Sequence, residues 1–241
     1  ILAPDEGYPG VVIKLVSRDR APVFDKRGVH VDAALTLSSV VKESVQRGWS
    51  DLEFLGGIPG TVGGAVAMNA GSAAVWIDSV IEEVTVLRYR GDAIDDRPYV
   101  TTLQRDDVEW GYRTSSLRDT AIILSALIRL ETRGESDEIQ ARLKERHAIR
   151  KETQPLSCLQ AGSVFRNPDG DSAGRLIEAV GLKGRESGGA QFSDVHANFI
   201  INKGDATADD VLALIKLAEQ RVFEEYGIRL QKEVRLLGSE T

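Results

Sequence analysis

The sequence contains a single cysteine, Cys158, among 241 residues. An intrachain disulfide is therefore excluded, and no Cys/His metal cluster can be built around it. A lone thiol fits a reducing compartment. Histidine is almost as scarce, and neither His30 nor His147 stands in a pattern that supplies partners. No apolar run approaches the ~18 residues of a membrane span. The opening Ile1-Leu2-Ala3-Pro4-Asp5-Glu6 lacks the cationic stretch that precedes the apolar part of a secretory signal. Positive charge is in deficit, with a net charge of −7. That argues against a broad nucleic-acid surface, while a few local cations still suffice for a small anionic ligand. No repeat or low-complexity tract is visible. With 42% hydrophobic and 28% charged residues, the chain has the make-up of a globular protein of one large domain or two small ones.

What is present divides near Thr153-Gln154-Pro155-Leu156, where proline ends a charged helix. Before that point the pattern predicts strands over Val11–Val16, Val29–Val31, Val84–Arg88 and Ala121–Leu130. It also predicts helices over Ser38–Arg47, stopped by Gly48, and Glu135–Arg150, with Ile139, Leu143 and Ile149 inward. The run Val11–Val16 arrives with nothing before it to pair, so a further upstream piece is expected. After the boundary a short helix starts near Asp171 and Ser172, carries Leu176, Ile177 and Val180, and stops at Gly181. Asn198–Asn202 reads as a buried strand. A long helix has Thr207 as N-cap, Asp210 three residues on, and Val211, Leu214, Ile215, Ala218 and Val222 along one face. Ile228–Leu237 alternates as a last strand. Ile228, Leu230, Val234 and Leu236 lie on one face, and Gln231, Glu233 and Arg235 on the other.

Four segments could carry chemistry. Gly56 to Gly64 holds five glycines in nine residues, and Met68-Asn69-Ala70-Gly71 follows shortly after. Such a backbone can approach a ligand closely and offer N–H groups to an anion. It is neither a P-loop nor the Gly-x-Gly-x-x-Gly dinucleotide pattern. Tight turns between strands would explain it equally well. In Trp110-Gly111-Tyr112-Arg113-Thr114-Ser115, an aromatic beside a guanidinium suits a planar or carboxylate ligand. A surface arginine packed on tyrosine is the plainer account. In Ala161-Gly162-Ser163-Val164-Phe165-Arg166-Asn167-Pro168, the hydroxyl sits on an uncrowded backbone, or else closes a local turn. Gly188 to Asn198 offers Gln191 and His196 beside a strand, though a lone histidine is more often structural.

In this order, and with Leu230-Gln231-Lys232-Glu233-Val234-Arg235 at the end, these segments resemble the UDP-N-acetylenolpyruvoylglucosamine reductase family, in its shorter second type. The resemblance runs from Asp5 to Gly238. It implies an α+β fold, with a flavin-binding domain of the vanillyl-alcohol-oxidase kind over 1–153 and a smaller α/β substrate-binding domain over 154–227. The segment 228–241 would return to the flavin portion. The implied activity is NADPH-consuming, FAD-dependent reduction of UDP-N-acetylglucosamine enolpyruvate to UDP-N-acetylmuramate, an early cytoplasmic step of peptidoglycan synthesis. A monomer with no membrane or nucleic-acid partner is expected.

By the same resemblance, Ser163, Arg113 and Glu233 are the catalytic residues, with Ser163 the proton donor. Gly57, Ile58, Pro59, Gly60, Thr61, Gly63, Gly64 and Asn69 lie along the flavin. Tyr112, Arg113, Gly162, Asn167, Gln191 and His196 fall near the substrate. Two departures stand out. The family's upstream Gly-rich flavin segment is represented by Ile1-Leu2 only, and Ser72-Ala73-Ala74-Val75-Trp76 replaces the usual Ala-Tyr-Gly-Gly-Glu. Two other readings therefore stay open: a non-catalytic nucleotide-sugar-binding fragment, and an oxidase of the wider fold group.

Overall fold

The computed structural model describes residues 1–17, 21–72, 75–89 and 97–238. The chain forms two compact units, one of residues 13–147 and one of residues 1–12 with 148–241.

The first unit is built on an antiparallel five-stranded sheet. In chain order its elements are β1 (Val23–Phe24), β2 (Val29–Asp32), α1 (Leu37–Gln46), α2 (Val62–Ala67), β3 (Gly71–Ser72), β4 (Val75–Trp76), β5 (Ile81–Arg88), β6 (Tyr99–Gln104), β7 (Trp110–Gly111), β8 (Thr114–Ser115), β9 (Ala121–Ile128) and α3 (Ser136–Thr153), whose last residues belong to the second unit. The sheet order is β1-β2-β9-β5-β6, while β3-β4 and β7-β8 are separate two-stranded ladders. Val29, Val31, Val84, Val86, Ile123 and Ile128 bury one face of the sheet with Leu37, Val40, Val41 and Val45 of α1 and Val62, Ala65 and Val66 of α2. Burying each such side chain contributes roughly 1.5–3 kcal/mol. Thr36 caps α1 by accepting the Ser39 N–H, and the chain leaves the helix through Gly48 at φ 75°.

The second unit contains β10 (Leu159–Ser163), α4 (Ala173–Ala179), β11 (Glu186–Ser187), β12 (Ala190–Phe192), β13 (Phe199–Asn202) and α5 (Ala208–Tyr226). Its antiparallel sheet has the order β10-β13-β12-β11. Phe165, Phe192 and Ile200 pack with Leu176 and Ile177 of α4 and Leu214, Ile215, Ala218 and Val222 of α5. Thr207 and Asp210 form a complete capping box, and Gly227 ends α5 in the left-handed conformation. Asp5 adds a second carboxylate at this helix start, accepting the Ala208 N–H at 2.9 Å.

Three expectations need correction. Val11–Val16 forms no strand: Val11, Val12, Ile13 and Val16 are exposed and unpaired in any ladder among the described residues. Ile149 is 53% exposed, so the inward face of α3 is set by Ile139 and Leu143. Ile228–Leu237 is not a continuous strand. It makes two isolated bridges, Lys232 with Phe165 and Leu236 with Leu2. In each case the residues have the right propensity, but strand pairing needs a neighbouring backbone that propensity does not supply.

Candidate active site

In the first unit, the glycine segment is folded against the loop after β2. Gly63 N–H donates to Ala33 O at 2.8 Å, Val62 N–H to Leu35 O at 2.9 Å, and Leu37 N–H to Gly60 O at 3.0 Å. Gly57 and Gly60 hold φ of 80° and 114°, conformations that a side chain strains. Thr61 caps α2 by accepting the Gly64 N–H at 3.3 Å. The glycines of α2 differ in cause. A Cβ on Gly63 would lie 3.0 Å from the Ala33 Cβ, so packing explains that glycine. Gly64 is exposed, and a Cβ there would meet only its own capping Thr61 hydroxyl, at 3.7 Å. Glycine in a helix costs about 1 kcal/mol relative to alanine. Neither backbone nor packing within the unit demands it, so the space above Gly64 is what glycine keeps clear.

Asn69 follows at φ 42° and is 4% exposed. Its Nδ2 donates to Gly111 O at 3.2 Å, and its Oδ1 accepts the Asp78 N–H at 3.2 Å. It thereby ties the end of α2 to the β7-β8 hairpin, as does Ser115, whose hydroxyl donates to Ala67 O. Tyr112 and Arg113 are the two residues of the hairpin loop, between the pairs Gly111–Thr114 and Trp110–Ser115. Arg113 has φ 58°, a left-handed conformation costing of order 1 kcal/mol or more for a non-glycine residue. Its NH1 donates to Gly71 O at 3.2 Å, and its guanidinium stands 5.5 Å from the Trp76 ring and 5.9 Å from the Tyr112 ring. Trp76 and Tyr112 meet edge to face at 5.4 Å. Trp76 thus joins the arginine's surroundings from a position that the sequence marked only as a departure; Ala73 and Ala74 of that stretch lie outside the described residues.

In the second unit, the register of β10 against β13 slips by one residue between Gln160 and Ser163. Gly162, at φ 89°, occupies the bulge and donates its N–H to the Gln160 side-chain oxygen. A bulge re-aims the side chain beside it, and here that is Ser163. The next residue, Val164, accepts the N–H of Glu233 at 2.8 Å and of Val234 at 3.2 Å, and Arg166 N–H donates to Gln231 O at 2.8 Å. Backbone pairing therefore holds Ser163 and Glu233 close to one another. Asn167 accepts the Ala173 N–H at 3.0 Å at the start of α4. Gln191 donates to Gly184 O at 3.2 Å. His196 Nδ1 accepts the Asn198 N–H at 3.2 Å, and its ring meets Phe199 edge on at 5.0 Å. Burial holds this imidazole below its ordinary pKa, with a smaller push from Lys183. The sequence reading passed over Asn198. It is 3% exposed and grips both sides of Phe165, accepting its N–H at 2.9 Å and donating to its carbonyl at 2.8 Å.

These features have counterparts in known proteins. A family model described as "FAD binding domain" matches residues 2–96, and one described as "UDP-N-acetylenolpyruvoylglucosamine reductase, C-terminal domain" matches residues 154–237. The chain is 40% identical to UDP-N-acetylenolpyruvoylglucosamine reductase of a Synechococcus species, over 100% of this chain and 77% of that protein. The chain belongs to the UDP-N-acetylenolpyruvoylglucosamine reductase family. The reductase of Bacillus licheniformis is likewise 40% identical, over 99% of this chain and 77% of that protein. The crystal structure of the reductase from Thermus caldophilus matches with a TM-score of 0.73 at 37% identity, over 89% of this chain and 74% of that one. The α+β architecture, with a flavin-binding part and a reductase C-terminal part, is therefore that of the reductase family. The residues present suit FAD. Gly57 and Gly60 adopt glycine-only backbone, and Gly64 keeps an open surface that a Cβ would intrude upon.

Proposed function

We propose that this chain reduces UDP-N-acetylglucosamine enolpyruvate to UDP-N-acetylmuramate, and that Ser163, Arg113 and Glu233 act on the substrate. The family membership carries the activity and the use of FAD and NADPH, and it favours a catalytic reading over a fragment that only binds a nucleotide sugar. The observation that carries the residue assignment is the bulge at Gly162, which presents Ser163 one residue from the carbonyl that pairs with Glu233.

FAD, when bound, would supply the two-electron chemistry for a reduction that adds hydride to the terminal carbon of the enolpyruvyl double bond at the expense of NADPH. Charge then develops on the neighbouring carbon and spreads into its carboxylate. Arg113 is assigned to that charge, and what supports the assignment is that Gly71 O and the Trp76 and Tyr112 rings already orient its guanidinium. A preorganised donor of this kind is worth about 3–4 kcal/mol. Ser163 gives its hydroxyl proton to the enolate carbon, and Glu233 polarises that proton transfer. A serine hydroxyl is a weak acid, but an enolate carbon is basic enough when held in line. The segment 57–64 with Asn69 would hold the flavin when it is bound. Tyr112, Gly162, Asn167, Gln191 and His196 are assigned to the substrate's surroundings, with Asn167 and His196 also fixing the loops they stand on and Gln191 tying β12 to Gly184.

The chain works as a monomer in the cytoplasm. Its single exposed thiol suits a reducing compartment. Among the described residues, no helix is long and apolar enough to cross a membrane, and no group of three or more His, Cys, Asp and Glu could hold a metal ion. The test is a purification followed by an assay. The expected preparation is yellow, elutes as one chain, and turns NADPH over continuously only when the enolpyruvyl sugar nucleotide is added, one equivalent per flavin being consumed without it. A flavoprotein whose sustained NADPH turnover is unchanged by that substrate would refute the substrate assignment.

A further inference from the structure

Two proposed substrate-facing groups of the second unit, Ser163 and Glu233, hang on the same two peptides. Val164 O takes the N–H groups of Glu233 and Val234, and Phe165 bridges to Lys232. The Phe165 peptide is in turn held by the side chain of Asn198 through both of its polar atoms, at 2.9 and 2.8 Å. The backbone of Asn198 adds a third bond, its carbonyl accepting the Val164 N–H at 2.8 Å. At 3% exposure, Asn198 has no solvent to replace these bonds.

Asn198 is itself fixed. Its N–H donates to His196 Nδ1, whose ring is wedged between Phe199 and α4; a Cβ on Gly174 would come within 2.7 Å of that ring. Ser193, 1% exposed, accepts the N–H groups of Val195 and His196 and stiffens the same turn. A side-chain amide that mimics a strand neighbour past the end of a ladder does what the ladder cannot do there. It continues the backbone pairing two residues beyond the last β10–β13 pair, Ser163 with Phe199, and so holds the chain that leaves Ser163.

We propose that Asn198 is a positioning residue for the reduction: it locks the Val164–Phe165 peptides so that Ser163 and Glu233 keep one fixed relation to each other. This rests on the assignment of Ser163 as proton donor.

The test uses Asn198→Ala and Asn198→Asp in the flavin-loaded protein, followed through both half-reactions. Flavin reduction by NADPH should stay within twofold of the parent for both. Reoxidation by the enolpyruvyl substrate should slow at least tenfold in Asn198→Ala. In Asn198→Asp it should recover as pH falls, because only the protonated carboxyl can donate to Phe165 O. A readout independent of activity is amide hydrogen exchange. Exchange should rise together at residues 163–166 and 231–234 in Asn198→Ala, with that of α5 unchanged. Where Asn198→Ala does not fold, the pH profile of Asn198→Asp carries the test. Reoxidation at the parent rate in Asn198→Ala, equal losses in both half-reactions, or exchange rising at only one of the two segments would overturn the proposal. Ser163→Ala run alongside separates the two ideas. If it reoxidises like the parent, the proton-donor assignment fails, while the paired exchange response still decides whether Asn198 is the clamp.

Discussion

The two units build their functional segments by opposite means. In the unit of residues 13–147, side chains are missing where they would obstruct: Gly57 and Gly60 take backbone that only glycine takes freely, and Gly64 keeps a helix surface bare. In the unit of residues 1–12 and 148–241, a buried side chain is added where the ladder ends, with Asn198 gripping Phe165 just beyond the Ser163–Phe199 pair. A surface shaped to receive a large planar cofactor needs room and exposed backbone. A group that must deliver a proton to one carbon needs a fixed direction. Stability and function should therefore respond differently to substitution in the two places.

The largest effect is expected at Ser163, the proposed proton donor. Ser163→Ala should lower turnover by about 10²- to 10⁴-fold with little change in thermal stability. Arg113→Ala follows, with a loss of about 10²- to 10³-fold in kcat, the amount typical of removing one donor to developing negative charge. This variant should also gain slightly in stability if Ala is replaced by Gly, because φ 58° at position 113 is strained for any side chain. Steady-state kinetics and melting curves on Arg113→Ala and Arg113→Gly check both statements.

Gly64→Ala breaks the comparison most informatively, because two effects of opposite sign are expected. The cofactor-free chain should gain about 1 kcal/mol from helix propensity, while flavin affinity falls, read by fluorescence titration. A gain in both would show that the open surface at Gly64 is not used by the cofactor. Gly63→Ala should instead destabilise, since its Cβ would press on Ala33 at 3.0 Å.

The smallest effect is a pH dependence. The folded pKa of His196 lies below its ordinary value, so the unfolded chain takes up the proton first as pH falls. The stability this gives is fully present above about pH 6.5 and is lost as pH drops through the folded value. Urea midpoints should therefore decline below pH ~6.5, and less steeply in His196→Gln. An identical decline in the variant would assign the effect to other groups.

Much of this architecture is legible in the residues. Helices α4 and α5 announce themselves through Ser172 and Thr207 at their starts and through apolar spacing, α1 through its apolar spacing and the stop at Gly48, and Gly227 stops α5 as its position suggests. Strands β5 and β9 follow their β-branched runs. What fails is whatever depends on a distant neighbour. Val11–Val16 and Ile228–Leu237 have strand chemistry but no continuous ladder, and Ile149 has helical spacing without a surface to cover it. The candidate site divides the same way. The glycine run and the Ser163 motif are visible as local sequence, yet only structure separates Gly63, held by packing, from Gly64, left open. Asn198 was legible only as the first residue of a predicted buried strand; its hold on Phe165 was not, because that partner lies 33 residues away.

The most direct test of the account follows Ser163→Ala through the two half-reactions by flavin absorbance. NADPH should bleach the flavin at the parent rate, and the enolpyruvyl sugar nucleotide should then fail to restore the yellow colour. Restoration of colour at the parent rate would contradict the assignment of the proton to Ser163.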